Sequence, residues 1–303
     1  MAVLEPYKGG YYLWKFLPSV PGAVIFAILF LAITVPHVWR IVTKKTWFCI
    51  PFALGGLMEV IGFATRASAH EKTGQLMPYA IQNTMILLAP VLLAASIYMT
   101  LGRTIRNVHG EKHSLIKPSW LTKIFVSGDV FSLMIQGGAA GLMVTGGDKA
   151  TLGQNIIVGG LVFQVLIFGL FCATAMVFHL RMRADPMVQA AERMPELQQE
   201  GVQWKQTVKM LYVVSALIMG RSVFRVIEFS MGHDGYLLSN EWPLYVFDAV
   251  PMFAVMAIFW WWFPSTAAGA KKRGTWGSVT SMSDLQPGMG HAESHGSNNK
   301  AAV

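Results

Sequence analysis

Charge is what this sequence has little of. Only 13% of its 303 residues are Asp, Glu, Lys or Arg, about half the roughly 25% of an ordinary soluble domain. With 53% of residues hydrophobic, too few ionised side chains remain to clothe a compact globule in water. A disordered chain is excluded as well, because disorder needs low hydrophobicity and abundant charge. Cysteine is nearly absent. Cys49 and Cys172 both lie in apolar runs and read as reduced packing residues, whereas a disulfide scaffold needs many more. There is no Asn-x-Ser/Thr acceptor, no Gly-x-x-x-x-Gly-Lys-Ser/Thr loop to cradle ATP, and no Gly-x-Ser-x-Gly elbow. The last apolar segment has no lysine, which excludes a retinal Schiff base of the rhodopsin kind. No His/Cys/Asp spacing fits zinc; His109 and His113 are four apart but in a loop. No nucleophile–base pair stands out. The chain is therefore expected not to be an enzyme, and to need neither cofactor nor metal.

What the sequence does have is apolar length. Seven segments stand out, roughly Val20–Arg40, Trp47–Arg66, Pro78–Leu101, Leu121–Thr145, Gln154–Leu180, Lys205–Phe229 and Glu241–Pro264. Each suffices to cross about 30 Å of hydrocarbon. The expected fold is an all-α, polytopic seven-helix membrane bundle. The fourth segment is diluted by glycines, and the Gly137/Gly141 spacing reads as a weak signal of close helix contact. The first 20 residues show no short apolar core with a cleavage site, so the first span is expected to direct insertion itself.

The 24 Lys and Arg then set orientation. One set of connections holds seventeen of them, including Arg40, Lys44, Lys45, Arg103, Arg106, Arg181, Arg183, Arg193 and Lys271. The alternate set holds only Lys8, Lys15, Lys72 and Lys149. Basic loops face the cytoplasm, so the N-terminus is expected outside and the C-terminus inside. The formal net charge of +8 is thus topology and asks for no nucleic-acid partner. Tryptophans near the predicted ends, Trp14, Trp39, Trp47, Trp120, Trp204, Trp242 and Trp260–Trp262, are expected at the interfaces. The resulting division is an extracellular segment 1–19, a membrane domain 20–264 and a disordered cytoplasmic tail 265–303, with a surface helix within the Arg181–Trp204 stretch.

The informative residues are the polar ones left inside the spans. A charge at the bilayer centre costs at least about 2.5–3.5 kcal/mol, so such residues must face partners or water. They are Glu59 and Arg66 in span two, Asp129 and Gln136 in span four, and Gln164 in span five. Span six adds Arg221, Arg225 and Glu228, and span seven Glu241, Tyr245 and Asp248. Glu59/Arg66, Asp129/Gln136, Arg221/Glu228 and Glu241/Asp248 are each seven apart, nearly two helical turns and so on one face. Each helix carries one polar stripe, and the stripes are expected to turn inward together. Glu59, Glu228, Asp248 and Glu241 would then face Arg66, Arg221 and Arg225 at one level. Asp129, Gln136 and Gln164 would form a separate, deeper site. Three readings stay open: structural ion pairs, a polar cavity for a ligand's head group, and a proton relay through Glu59 or Asp129. His37 and His179 read as interfacial or packing residues.

Several stretches carry a resemblance. They are Glu59-Val-Ile-Gly-Phe-Ala-Thr-Arg66, Ala89-Pro90 with Ala95-Ser96-Ile97-Tyr98 and Gly102-Arg103, and Asp129-Val-Phe-Ser132 with Gln136-Gly137-Gly138. Gly159-Gly160 with Gln164 and Phe171 follow. The most specific is Arg221-Ser-Val-Phe-Arg225-Val-Ile-Glu228, then Gly232, Gly235, Glu241, Tyr245 and Phe247-Asp248. Over about residues 10–264 the chain resembles the fungal RTA-like, or lipid-translocating exporter, family; Phe63 departs from its pattern, where tyrosine is commoner. The resemblance implies a seven-helix protein of fungal membranes, commonly the plasma membrane. It links the chain to export or translocation of sphingoid long-chain bases and phospholipids and to resistance against toxic amphiphiles. One branch is linked to porphyrin or haem traffic.

The expected function is ATP-independent translocation of amphipathic lipids or toxic amphiphiles. An ammonium head group would pair with Glu59, Asp129 or Asp248, and a phosphate with Arg221 and Arg225. The alternatives are a seven-helix lipid or stress receptor with a cytoplasmic protein partner, or a porphyrin or haem transporter. The sequence leaves the oligomeric state open.

Overall fold

The computed structural model describes Trp14, 16–71, 73–143, 148–186, 188, 195–232 and 235–262, apart from the side chains at 143, 148–149 and 195–203. Most of the expected extracellular segment and the tail 265–303 lie outside these residues, as does Arg193. The described chain is helical, with no strand among the described residues. Its helices are α1 (Val20–Lys44), α2 (Ile50–Ser68), α3 (Leu76–Asn107), α4 (Pro118–Met143), α5 (Asp148–Ala184), α6 (Pro195–Ser230) and α7 (Val250–Trp261). A π-helical turn, Leu244–Ala249, leads directly into α7. Seven of the described segments are long and apolar enough to cross a membrane. The glycine-diluted fourth is among them.

Short connections make successive helices run in opposite directions, so α1 begins and α7 ends on opposite faces. The face where α1 begins is here the N-terminal face. The main core lies between the inner sides of all seven helices, with Phe30, Phe52, Phe63, Leu93, Tyr98, Phe125, Phe171 and Phe259 buried within it. α3 is the central helix, with 72% of its apolar window buried against 22% for α1. Large side chains such as Ile28, Trp39, Met134, Leu166, Leu180 and Val213 point outward. In water such a surface would aggregate; in hydrocarbon it costs nothing.

Close approach is made at glycines other than those expected. A Cβ on Gly62 of α2 would lie 2.7 Å from Ile86 Cγ1 of α3, and one on Gly55 would lie 2.9 Å from the Ala89 carbonyl. Gly137 and Gly141 have nothing within 4 Å of a Cβ and are exposed. The small-residue spacing in α4 is therefore not a helix–helix contact in the described chain. The real contact uses the same chemistry one helix pair earlier.

Two tryptophans also depart from the interfacial expectation. Trp14 is buried and meets Tyr79 edge-on at 5.3 Å, and Trp204 is buried beside His179. Trp39, Trp47, Trp120, Trp242, Trp261 and Trp262 remain exposed. Both cysteines are free thiols. The second half of the Arg181–Trp204 stretch belongs to α6, which starts at Pro195. Proline suits that first turn, where its missing N–H is not needed.

Candidate functional site

Two prolines shape the site. Pro90 interrupts α3. Without an N–H it cannot bond the carbonyl four residues back, which is that of Ile86. The freed Ile86 carbonyl instead accepts Arg221 Nη2 at 3.1 Å. A backbone defect in one span thus supplies a partner for a charge in another, as hydrocarbon requires. Pro251 acts on the other wall. It likewise leaves the Phe247 carbonyl without a helical donor, and its ring crowds that carbonyl. The turn before it widens, so that the Val250 N–H reaches back to Tyr245 O, an i→i−5 bond of the π kind. This wide turn carries both Tyr245 and Asp248.

The charges divide into two layers. The first lies nearer the N-terminal face. Arg66 donates to Glu241 Oε1 from Nη2 at 2.7 Å and from Nε at 3.1 Å. Tyr245 OH donates to the same oxygen at 2.9 Å. The backbone N–H of Ser19, the N-cap of α1, reaches both Glu241 oxygens at 3.0 Å. The Arg66 guanidinium lies 5.5 Å from the Trp14 and Phe16 rings and 5.8 Å from that of Tyr245. Both charged groups in this layer have partners, and its formal charge is zero; the buried Trp14 Nε1 beside Arg66 has none.

The second layer is deeper by about 10 Å, the rise of the seven residues from Arg66 back to Glu59 along α2. Arg221 and Arg225 of α6 share Asp248. Arg221 Nε pairs with Oδ1, and Arg225 Nη2 donates to Oδ2 at 2.5 Å. Arg225 Nη1 also donates to Glu228 Oε2 at 3.0 Å. Glu59 from α2 completes the layer, within electrostatic reach of Arg221, Arg225 and Asp248. It is 1% exposed, and neither of its carboxylate oxygens has a hydrogen-bond partner. The layer holds two guanidiniums and three carboxylates, a formal charge of −1. Both arginines are engaged by protein acceptors, although Arg225 Nε is buried without one, and the side chain with no hydrogen bond at all is an anion.

The polar stripes do turn inward, as the sequence predicts, but they do not meet at one level. Glu59 and Arg66 share a helix and serve different layers. Glu241, in the bend before the last span, and Asp248, in the π turn, are likewise seven residues apart and serve different layers. The deeper third group is separate, as expected. Asp129 of α4 accepts Tyr98 OH of α3 on Oδ2 at 2.8 Å. One turn on, Ser132 Oγ donates to the Gly160 carbonyl of α5 at 2.6 Å. Gln136 Nε2 reaches Ser132 Oγ at 2.7 Å and Gln164 Oε1 at 3.2 Å.

Sequence reasoning missed four members. Tyr98 and Pro90 lie inside the motifs that carry the resemblance but are not among the polar residues singled out. Gln82 of α3 is buried, with its Oε1 unpartnered. Tyr79 hydrogen-bonds Asn83 and lies in electrostatic range of Arg225 and Glu228. The available signal is Tyr79 and Gln82, three apart and so on one helix face at the start of an apolar span.

The histidines behave as packing groups. His37 is buried between Phe52 and Phe259, and one ring nitrogen donates to the Ile33 carbonyl at 2.8 Å. His179 bonds Tyr212 OH at 2.9 Å. His113 in the α3–α4 connection pairs with Asp185 at 2.9 Å.

A seven-span bundle with a buried, layered charge network defines an integral, multi-pass membrane protein. Residues 52–271 match the family described as RTA1 like protein, and the chain belongs to that family. It is 32% identical over 282 residues to Protein RTA1 of Saccharomyces cerevisiae, covering 85% of this chain and 86% of that one. It is 30% identical over 285 residues to Protoporphyrin uptake protein 1 of the same organism, covering 82% and 91%. It is 26% identical over 266 residues to Sphingoid long-chain base transporter RSB1, also from Saccharomyces cerevisiae, covering 78% and 69%. No solved structure matches the chain significantly.

Proposed function

We propose that this protein is an ATP-independent translocator of amphipathic lipids in a fungal membrane, with the plasma membrane as its site. We further propose that its preferred head group is a cation of the sphingoid long-chain base kind. The observation that carries this reading is Glu59. A buried carboxylate with both oxygens unpartnered, in a layer with one anion too many, is matched by a primary ammonium, which brings one positive charge and three donors. The relatives named as a long-chain base transporter and a protoporphyrin uptake protein support small-molecule transport. Between those two cargo types the charge balance favours the ammonium. A porphyrin presents carboxylates, whose natural partners are arginines, and Arg221 and Arg225 are held by Asp248, Glu228 and the Ile86 carbonyl.

Transport without ATP and without chemistry on the cargo fits a chain with no phosphate-binding loop. In this reading the acyl chain stays among apolar helix faces or lipid while the ammonium crosses at Glu59. The N-terminus faces out, as the basic connections direct. The test is flux of a fluorescent long-chain base across liposomes holding the full-length protein. Wild-type protein moves the base faster than protein-free vesicles do, and Glu59→Gln abolishes the gain. Equal flux in Glu59→Gln, or no gain with wild type, overturns the reading.

A further inference from the structure

Asp129 has no role in the site at Glu59. Tyr98, which bonds it, lies twelve residues along α3 from Ile86, which bonds Arg221. That is about 18 Å of helix. Asp129 is 2% exposed, and its Oδ1 has no partner. The groups that face it are few. α3 brings Tyr98, α5 brings Cys172 beside that phenol, and Lys123 on α4 itself is exposed over Trp120. Among the described residues, Tyr98 is the only ionisable group that acts on Asp129. The neighbouring rings are Phe125, Phe168 and Phe171, packed on Tyr98. This differs from the charged layers, where each carboxylate has a guanidinium within reach.

A second orphan lies on the same stripe. Gln136 Oε1 is buried without a partner, two turns and about 10 Å nearer the N-terminal face. Between the two, Ser132 links α4 to α5. The stripe of Asp129, Ser132, Gln136 and Gln164 therefore climbs more than half of the 18 Å towards the level of Arg221. Its free ends are acceptors. A metal ion would need several converging oxygens, and no group of three His, Cys, Asp or Glu gathers among the described residues. A lone buried carboxylate without a countercharge takes a proton instead.

We propose that Asp129, held by Tyr98, is a second intramembrane site that binds a proton, and that its protonation is coupled to cargo movement at Glu59. The proton arrives from water on one side, adds to the Asp129 carboxylate to give the neutral acid, and leaves to water on the other. No covalent bond other than O–H is made or broken. The coupling rests on the transport reading above; the proton site itself does not.

Two measurements on the full-length protein in liposomes test the proposal. The first is the infrared carbonyl band of a neutral carboxylic acid. Wild type shows a band that is lost as the pH is raised, Asp129→Asn lacks it, Glu59→Gln keeps it, and Tyr98→Phe shifts it by removing the phenol hydrogen bond. Identical spectra from wild type and Asp129→Asn overturn the site. The second is flux of the fluorescent long-chain base under an imposed pH gradient, corrected for passive trapping in protein-free vesicles. One proton per cargo changes the wild-type rate by up to about tenfold per pH unit, and Asp129→Asn is insensitive to the gradient. Gradient sensitivity that survives in Asp129→Asn overturns the coupling. The band without any flux leaves the proton site standing and refutes the transport reading instead.

Discussion

The two charged layers use the same side-chain types and differ in what they leave over. In the layer nearer the N-terminal face, Glu241 receives Arg66, Tyr245 and the Ser19 N–H, and no charge is left over. In the deeper layer, Asp248 receives both arginines, and Glu59 receives no hydrogen bond at all. A satisfied ion cluster in hydrocarbon is a lock. One that keeps an anion in hand, at a depth where ionised groups are costly, is in the proposed reading the place for a cation. The two layers differ in which charges cancel and which remains, although all are equally conspicuous in the sequence.

The sharpest way to break that comparison is at Asp248. Asp248→Asn leaves Arg221 and Arg225 facing each other with their shared carboxylate gone, and is expected to destabilise the protein by about 3–5 kcal/mol. Thermal unfolding in detergent reads this as a large fall in midpoint; an unchanged midpoint would mean the deeper layer is not a lock at all. Glu241→Ala comes next. Its oxygens accept from Arg66, Tyr245 and Ser19, but Glu241 is 16% exposed, so water replaces part of the loss. A cost of about 1–3 kcal/mol follows, read in the same assay.

Packing supplies a smaller effect. Gly62→Ala places a Cβ 2.7 Å from Ile86 Cγ1, on the residue whose carbonyl holds Arg221, and is expected to cost about 1–3 kcal/mol. Gly137→Ala, with nothing within 4 Å, is expected to be neutral or to gain up to about 1 kcal/mol from helix propensity. If the two glycines respond alike, α2–α3 contact is not what fixes the level of Ile86.

The smallest stability effect is expected at Glu59, the residue proposed to meet the cargo. Glu59→Gln leaves two guanidiniums and two carboxylates, a balanced set, so the unfolding midpoint should not fall. Binding of a fluorescent long-chain base to the purified variant should nevertheless be lost. A fall as large as that of Asp248→Asn would make Glu59 part of the lock.

Composition and spacing carried most of the fold. Seven apolar runs define seven spans because hydrocarbon admits few ways to satisfy a backbone. The seven-residue spacing of Glu59/Arg66 and Arg221/Glu228 placed each stripe on an inward face for the same reason. Spacing within one helix says nothing of the rotation and height of the next, so the split of Arg66 from Glu59 into different layers was not legible. The α4 glycines misled for a related reason. Gly137 and Gly141 look like a contact motif, but whether a small face meets a helix or lipid depends on the neighbour. Pro90 and Pro251 were visible as prolines, yet their use was not.

By itself, then, the sequence determined that the chain is a seven-span membrane protein of this family, and which few polar residues matter. Burying a charge in lipid is so costly that its mere presence is a signal. Only the tertiary structure decided which charges cancel and which remain. Pairing depends on ångström-scale geometry between helices far apart in sequence, set here by one freed carbonyl at Ile86 and one widened turn before Pro251. That geometry left Glu59 without a hydrogen bond and Asp129 with the Tyr98 hydroxyl but no countercharge.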